Sequence, residues 1–288
     1  MSFNLMILAA DPKSAAEAQH AGIERVFYDL EYINKSERQR GRNTIISNNN
    51  IDDIPAVRKV LTTSQLLVRT NPIHAYTKTE VEKAIAYGAD VLMLPMVLSD
   101  KDVEEYVGYV NGRAKVCIMV ETAQALARID DILAVKGVDE IFIGLNDLHI
   151  SMGLSFMFEL LSDGLVEYVA NKCKAKGVPF GFGGIARIGD GMLPAERILA
   201  EHVRLGSSSV ILSRTFKGEV GENAGIKVEL NEEVQKVRAA IDTIKTWTVK
   251  DYQQNYEIIT KVVKEIEDVI GIEAEDAPRI SAKTGLNI

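Results

Sequence analysis

Eight short runs rich in Val, Ile, Leu and Phe, each followed by a longer stretch of helical period, constrain this chain more than any other feature. They are Leu5 to Ala9, Arg25 to Asp29, Gln65 to Arg69, Val91 to Leu94, Lys115 to Glu121, Glu140 to Gly144, Pro179 to Gly183 and Ser208 to Ser213. Helical period lies between them, over Thr77 to Tyr87, Lys101 to Val110, Thr122 to Val135, Phe158 to Lys176 and Pro194 to Leu205. Continuous apolar strands separated by helices imply parallel strands covered by helices. Eight such units predict a closed (β/α)8 TIM barrel. An open Rossmann sheet would need a glycine-rich turn after the first strand, and Ala9-Ala10-Asp11-Pro12 stands there instead.

The expected division is a barrel over residues 1–216 and a helical extension over 217–288. In the extension Tyr252, Tyr256, Ile259, Val263, Ile266 and Ile270 advance by four and three alternately, which makes one apolar seam. Burial against the chain's own barrel and docking on a neighbouring subunit both satisfy such a seam. The second reading makes the protein a homo-oligomer through its C-terminal helices.

Composition narrows the partners. Acidic residues number 41 against 33 basic ones, a net charge of −8, so a general nucleic-acid binder is not expected. No run approaches the roughly 20 apolar residues of a membrane span, and the N-terminus lacks the pattern of an export signal. With Cys117 and Cys173 as its 2 cysteines the chain has no disulfide framework, and a cytoplasmic setting is expected.

Working residues of a TIM barrel sit at the C-terminal ends of its strands and in the loops that follow. This places Asp29, Glu31 and Tyr32 after the second strand, Arg69 and Asn71 after the third, Glu121 at the end of the fifth, and Asn146, Asp147 and His149 after the sixth. Glu121 and Asp147 fall on adjacent strands, where two carboxylates repel unless one is protonated or a cation lies between them. All-oxygen ligation with open positions suits Mg2+ or Mn2+, so these two are the expected metal ligands. Arg69 would aim a permanent positive charge at the same spot and stabilise a substrate carboxylate or an enolate. Asn71, Asn146 and Asp147 complete the expected substrate-binding set. His149 and His74 have the intrinsic pKa of a proton shuttle, with Glu31 as a further candidate base.

Val120-Glu121-Thr122 and the segment IFIGLNDLHISMG, with Gly144, Asp147, Leu148 and Gly153, resemble the signature of the HpcH/HpaI aldolase and citrate lyase beta-subunit family. FYDLE, VRTNP and GADVLMLPMV are similar to that family's second, third and fourth strand segments, and the likeness runs over residues 5 to 215. It implies a (β/α)8 barrel, a divalent metal held by Glu121 and Asp147, and an enolate stabilised by Arg69. The chain also departs from the family's pyruvate aldolases. Tyr32 stands where they have a His, Ala86 where they have its Asp partner, and Met119 where they have a Gln. Asp29-Leu30-Glu31 and Arg69-Thr70-Asn71 resemble the citrate lyase branch, which handles acyl thioesters.

The resulting expectation is a metal-dependent carbon-carbon lyase of class II aldolase type, acting on a small 2-oxo acid through an enolate. Three alternatives differ in chemistry. An acyl-CoA lyase would use the same metal and Arg69, with Lys35, Arg38, Arg40 and Arg42 of the loop 33–50 meeting the nucleotide phosphates, although a solvated charged loop is the plainer account of that run. A glycosidase would also place two carboxylates on a barrel, but 1 Trp offers little sugar stacking. A catalytically silent homologue would fit the changed positions 32 and 86. The GFGG run at 181–184 is a weaker signal, for close substrate approach or only a tight turn.

Overall fold

The computed structural model describes residues 3–33, 49–218 and 228–284, with side chains to residue 270. The basic run from Lys35 to Arg42 lies outside the described residues. Eight parallel strands close into a barrel in chain order. They are β1 (Asn4–Leu8), β2 (Arg25–Asp29), β3 (Gln65–Arg69), β4 (Val91–Leu94), β5 (Lys115–Val120), β6 (Glu140–Ile143), β7 (Phe180–Ile185) and β8 (Ser209–Leu212). β1 pairs with β2 on one side and β8 on the other, with Met6 opposite both Arg25 and Ile211, which closes the ring.

Around the strands lie α1 (Pro12–His20), α2 (Ile54–Val60), α3 (Thr77–Ala86), α4 (Asp100–Val110), α5 (Ala123–Ala127), α6 (Ile129–Ile132), α7 (Leu145–Met152), α8 (Glu159–Ser162), α9 (Leu165–Lys176) and α10 (Ala195–Leu205). Outward-facing strand residues such as Leu5, Val26, Leu66, Leu92 and Ile118 pack on them and are fully or almost fully buried. Inward-facing Met6, Phe27, Leu67, Val91, Met93, Cys117, Met119 and Phe142 form a second apolar cluster, which fills the barrel. The period of 2 along each strand separates the two sets.

Two expected helices are divided. Arg128 leaves the helical region between α5 and α6, and Gly164, at φ +79°, separates α8 from α9. Apolar periodicity continues across both breaks because the same face packs on the barrel, so it conceals them.

After β8, a short turn of 3-10 helix (Arg214–Lys217) leads towards α11 (Leu230–Ile244) and α12 (Val249–Thr284). The apolar seam of α12 meets its own chain. Ile259 and Val263 are buried in the main core, and Tyr252, Ile266 and Ile270 pack against it. Asn255 supports the docking by donating to the Arg197 carbonyl and to Glu201 Oε1, both at 3.1 Å, and the Tyr256 hydroxyl donates to the Ser162 carbonyl at 2.5 Å. A partner subunit is therefore not needed to cover Ile259 and Val263. Among the described residues no helix is long and apolar enough to cross a membrane.

Candidate active site

The C-terminal ends of the strands surround a cavity of about 470 Å3. Asp29, Arg69, Glu121, Asn146 and Asp147 line it, together with apolar walls from Phe27, Met119, Phe142, Leu145 and Ile211. The size falls within the usual range of a small-molecule site, about 300–1,000 Å3.

Arg69 ends β3 and is held by acids. Its Nε and Nη2 donate to the two oxygens of Asp29, each at 2.8 Å, and its Nη1 lies 3.3 Å from Glu31 Oε2 and 3.6 Å from Met119 Sδ. Burial opposes the charge on the guanidinium, but Asp29, Glu31 and Glu121 outweigh it and raise the pKa of Arg69 above its ordinary range. The bidentate pairing with Asp29 also fixes the plane of the guanidinium. Nη1 has the longest contacts of the three guanidinium nitrogens.

Glu121 follows β5 and is 1% exposed. Its Oε1 accepts the Met96 N–H at 2.9 Å, and Met96 adopts a φ of +54° to present that donor. Burial and the neighbouring Glu31 and Asp147 push the Glu121 carboxyl up to about 8, although Arg69 and the Met96 N–H act in the other direction. Gly144, where β6 meets α7, makes room for this carboxyl. A Cβ there would lie 2.7 Å from Glu121 Oε2 and 2.8 Å from its Cβ.

The donor set fits a divalent cation. Glu31, Glu121 and Asp147 interact electrostatically around a guanidinium already paired with Asp29, which leaves an excess of negative charge when all are ionised. Among the described residues no group of three or more His, Cys, Asp or Glu side chains is arranged to enclose a metal. Mg2+ needs no such cage, because one or two carboxylates suffice when water and substrate oxygens complete the octahedron. Glu121 and Asp147 are the cavity-lining pair that can do this.

Other expected site residues are placed differently. Asn71 is buried with its amide engaged: Oδ1 accepts from the backbone N–H groups of Tyr32 and Ile33, and Nδ2 donates to Glu80. It does not line the cavity and instead pins the loop after β2. His149 is buried on α7 with Nδ1 3.1 Å from the Leu145 carbonyl, and it does not line the cavity either. The ring of His74 pairs through Nδ1 with the Pro72 carbonyl and Thr77 Oγ1, both at 3.0 Å. Glu31 lies behind Arg69. Tyr32 is 60% exposed. Ala86 ends α3 just before β4 enters the barrel, at the end opposite the cavity, so positions 32 and 86 do not meet. Gly183 and Gly184 line the cavity, and Gly183 needs its freedom because its φ is +50° and Leu145 packs over it.

Sequence reasoning missed Asn49, Met157, Arg214 and Lys217 of the lining. Asn49 donates from Nδ2 to the Asp29 carbonyl at 2.9 Å. Arg214 and Lys217 follow β8, and the strand-end rule that found Arg69 would have found them too.

Two solved structures share this architecture. An HpcH/HpaI aldolase/citrate lyase family protein from Burkholderia cenocepacia J2315 superposes with a TM-score of 0.57 at 17% identity, over 85% of this chain and 95% of that one. An HpcH/HpaI aldolase from Desulfitobacterium hafniense DCB-2 gives 0.55 at 16% identity, over 86% and 95%. At such identities the likeness speaks for the fold. A segment of 28 residues, 10% of this chain, is 86% identical to elongation factor 4 of Agathobacter rectalis, and an equally short match to that of Clostridium botulinum reaches 82%. The match spans only 5% of each elongation factor and carries no activity across. The HpcH/HpaI aldolase/citrate lyase family model matches residues 3–179, well over half of the sequence and every strand from β1 to β6. With that match and the shared barrel, the chain belongs to the HpcH/HpaI aldolase/citrate lyase family, a family of lyases.

Proposed function

We propose that the protein is a metal-dependent carbon-carbon lyase that acts on a 2-oxo acid through an enolate, with Glu121 and Asp147 as ligands of Mg2+ or Mn2+. The observation that carries this reading is the crowding of Glu31, Glu121 and Asp147 near Arg69, where burial and the neighbouring carboxylates together raise the Glu121 carboxyl to about 8. A buried cluster of that charge calls for a cation. Members of the family generally depend on a divalent metal. When bound, the metal supplies Lewis acidity to the oxygens of the substrate.

The chain's own residues supply the rest. In a 4-hydroxy-2-oxo acid the hydroxyl proton goes to a base and the C3–C4 bond breaks. The aldehyde leaves, and the electron pair moves onto C3 and the keto oxygen. Arg69, already fixed by Asp29, presents Nη1 to that oxygen without reorganising. Asn146 lines the cavity beside Asp147 and can orient the substrate carboxylate. Neither Glu31, held behind Arg69, nor His149 lines the cavity, so in this reading either of them takes the proton only through a bridging water. A proton returned to C3 releases pyruvate. Apolar walls around these groups limit access of water to the enolate.

An acyl-CoA lyase is a second reading, favoured by a cavity larger than pyruvate alone would need. The test is exchange of pyruvate methyl protons with deuterium, followed by NMR with Mg2+ present. Exchange in the wild type, lost in Glu121→Gln and Asp147→Asn, is the expected result. Absence of both exchange and Mn2+ binding in the wild type overturns the proposal, and turnover only of thioesters moves it to the second reading.

A further inference from the structure

Glu80 on α3 is half-buried, yet among the described residues it makes no ion pair. Its carboxylate commits both oxygens to one uncharged residue: Oε2 accepts the Asn71 N–H at 3.1 Å, and Oε1 accepts from Asn71 Nδ2 at 2.8 Å. Burial works against this anion, and the two Asn71 bonds with the nearby His74 offset only part of the cost. An anion kept on those terms directs attention to what the amide in turn holds.

With Nδ2 fixed on Glu80, the Asn71 side chain cannot turn over, and its Oδ1 faces the backbone after β2. There it accepts the consecutive N–H groups of Tyr32 and Ile33, at 3.0 and 3.1 Å. The segment so held carries both acids of Arg69. The Leu30 N–H donates to the Arg69 carbonyl at 2.9 Å, and the Glu31 N–H shares Asp29 Oδ1 with Arg69 Nε, at 3.1 and 2.8 Å. The Glu31 carboxylate, 3.3 Å from Arg69 Nη1, therefore sits on a stretch of backbone fastened by the strand ladder on one side and by Asn71 on the other.

We propose that Glu80 is a positioning residue for the Arg69 centre. Acting through Asn71, it keeps the backbone of residues 31–33 where Glu31 and Asp29 meet the guanidinium, and so fixes the direction in which Arg69 faces a developing oxyanion. The use made of that direction rests on the lyase reading; the clamp itself does not. Each contact in the clamp sets a donor against an acceptor, so its polarity can be inverted. In Asn71→Asp/Glu80→Gln the carboxylate at 71 keeps one oxygen for Tyr32 and Ile33 and offers the other to the amide NH2 at 80, whose carbonyl accepts the N–H of residue 71. The single negative charge is kept. Either substitution alone sets like against like: carboxylate against carboxylate in Asn71→Asp, N–H against N–H in Glu80→Gln.

The test compares the full-length wild type, the two single variants and the double variant. One readout is exchange of the buried Arg69 Nε–H with water, followed by NMR, the resonance being identified by its loss in Arg69→Lys. The other is the rate of pyruvate methyl deuteration with Mg2+, measured across pyruvate concentration. Each single variant should speed Nε–H exchange about tenfold and lower kcat for deuteration about tenfold with little change in KM, because an oriented charge acts on the transition state. The double variant should return both readouts to wild-type values. Should Asn71→Asp fail to fold, Glu80→Gln, which keeps Asn71 Oδ1 available, carries the comparison. Single variants that unfold at lower temperature but leave both readouts at wild-type values would show a purely structural contact and overturn the proposal. A double variant that folds, by its thermal unfolding curve, but keeps the defect of the single variants also overturns it. Failure of the lyase reading looks different: the wild type would not deuterate pyruvate, while Nε–H exchange would still set the single variants apart from the wild type and the double variant.

Discussion

The two ends of the barrel treat a buried arginine in opposite ways. At the floor, Arg25 crosses from β2 to β6 and meets Glu140 in a two-pronged pair at 2.5 and 2.6 Å, while its Nε donates to Gln65 at 2.9 Å. One cation faces one anion, and the donors of the fork are used. At the mouth, Arg69 faces Asp29 and Glu31, with Glu121 and Asp147 close enough to add their charge. The floor is balanced by the chain itself; the mouth is left negative. A balanced pair closes the barrel, whereas an unbalanced cluster keeps a standing demand for a ligand cation.

Removing one member from each end should separate the two roles. The largest effect is expected at the floor. Arg25→Met leaves Glu140 without its cation and should cost about 3–5 kcal/mol of stability in denaturant unfolding, with Mn2+ affinity unchanged in the folded protein. Adding Glu140→Leu should restore most of the loss. At the mouth the signs reverse: Glu121→Gln should lower Mn2+ affinity by about a hundredfold in calorimetry, yet leave the metal-free protein at least as stable because it removes a crowded charge. A floor variant that loses metal, or a mouth variant that unfolds, would break the comparison.

His202 provides a third case, a buried titratable group with no charged partner to balance it. It stacks on Phe182 at 3.6 Å between ring centroids, its Nδ1 pairs with Ser207 Oγ at 2.9 Å, and burial pushes its pKa down to about 3. The unfolded chain therefore binds a proton near pH 6.5 that the folded chain refuses. Stability should fall by about 2 kcal/mol between pH 7.5 and pH 5, and His202→Phe should flatten that part of the curve. The smallest effect is expected in the extension. Tyr256→Phe removes the hydrogen bond to the Ser162 carbonyl and should cost about 1 kcal/mol in thermal unfolding. A change of native mass in the same variant would connect that contact to assembly, and the homo-oligomer proposed from the sequence would gain support.

Where residue type and period decide the structure, the sequence was readable. Arg25–Asp29, Gln65–Arg69 and Val91–Leu94 are strands with the expected ends because turn residues bound each apolar run. The strand-end rule likewise brought Arg69, Glu121, Asn146 and Asp147 to one cavity. Partners from distant segments were not readable. Asn71 is consumed by Tyr32, Ile33 and Glu80, and the Nδ1 of His149 by a carbonyl one turn back on its own helix. The seam of α12 was legible as a stripe but did not name what covers it, and Ile259 and Val263 are covered by the chain's own helices.

The contact between Gly144 and Glu121 ties two positions into one historical choice. A Cβ at 144 would press on Glu121 Oε2 at 2.7 Å and on its Cβ at 2.8 Å. Shortening the acid to aspartate relieves the first clash and keeps the second. No single replacement at 144, and no compensating change at 121 that keeps a side chain, restores the fit without a backbone shift. Descendants of this sequence that keep the acid, or any other side chain, at 121 are thus confined to glycine at 144 unless the backbone shifts. An alanine or serine at 144 in a descendant would mark a backbone shift between β5 and β6 that displaces the carboxylate, visible even before the codon of residue 121 changes.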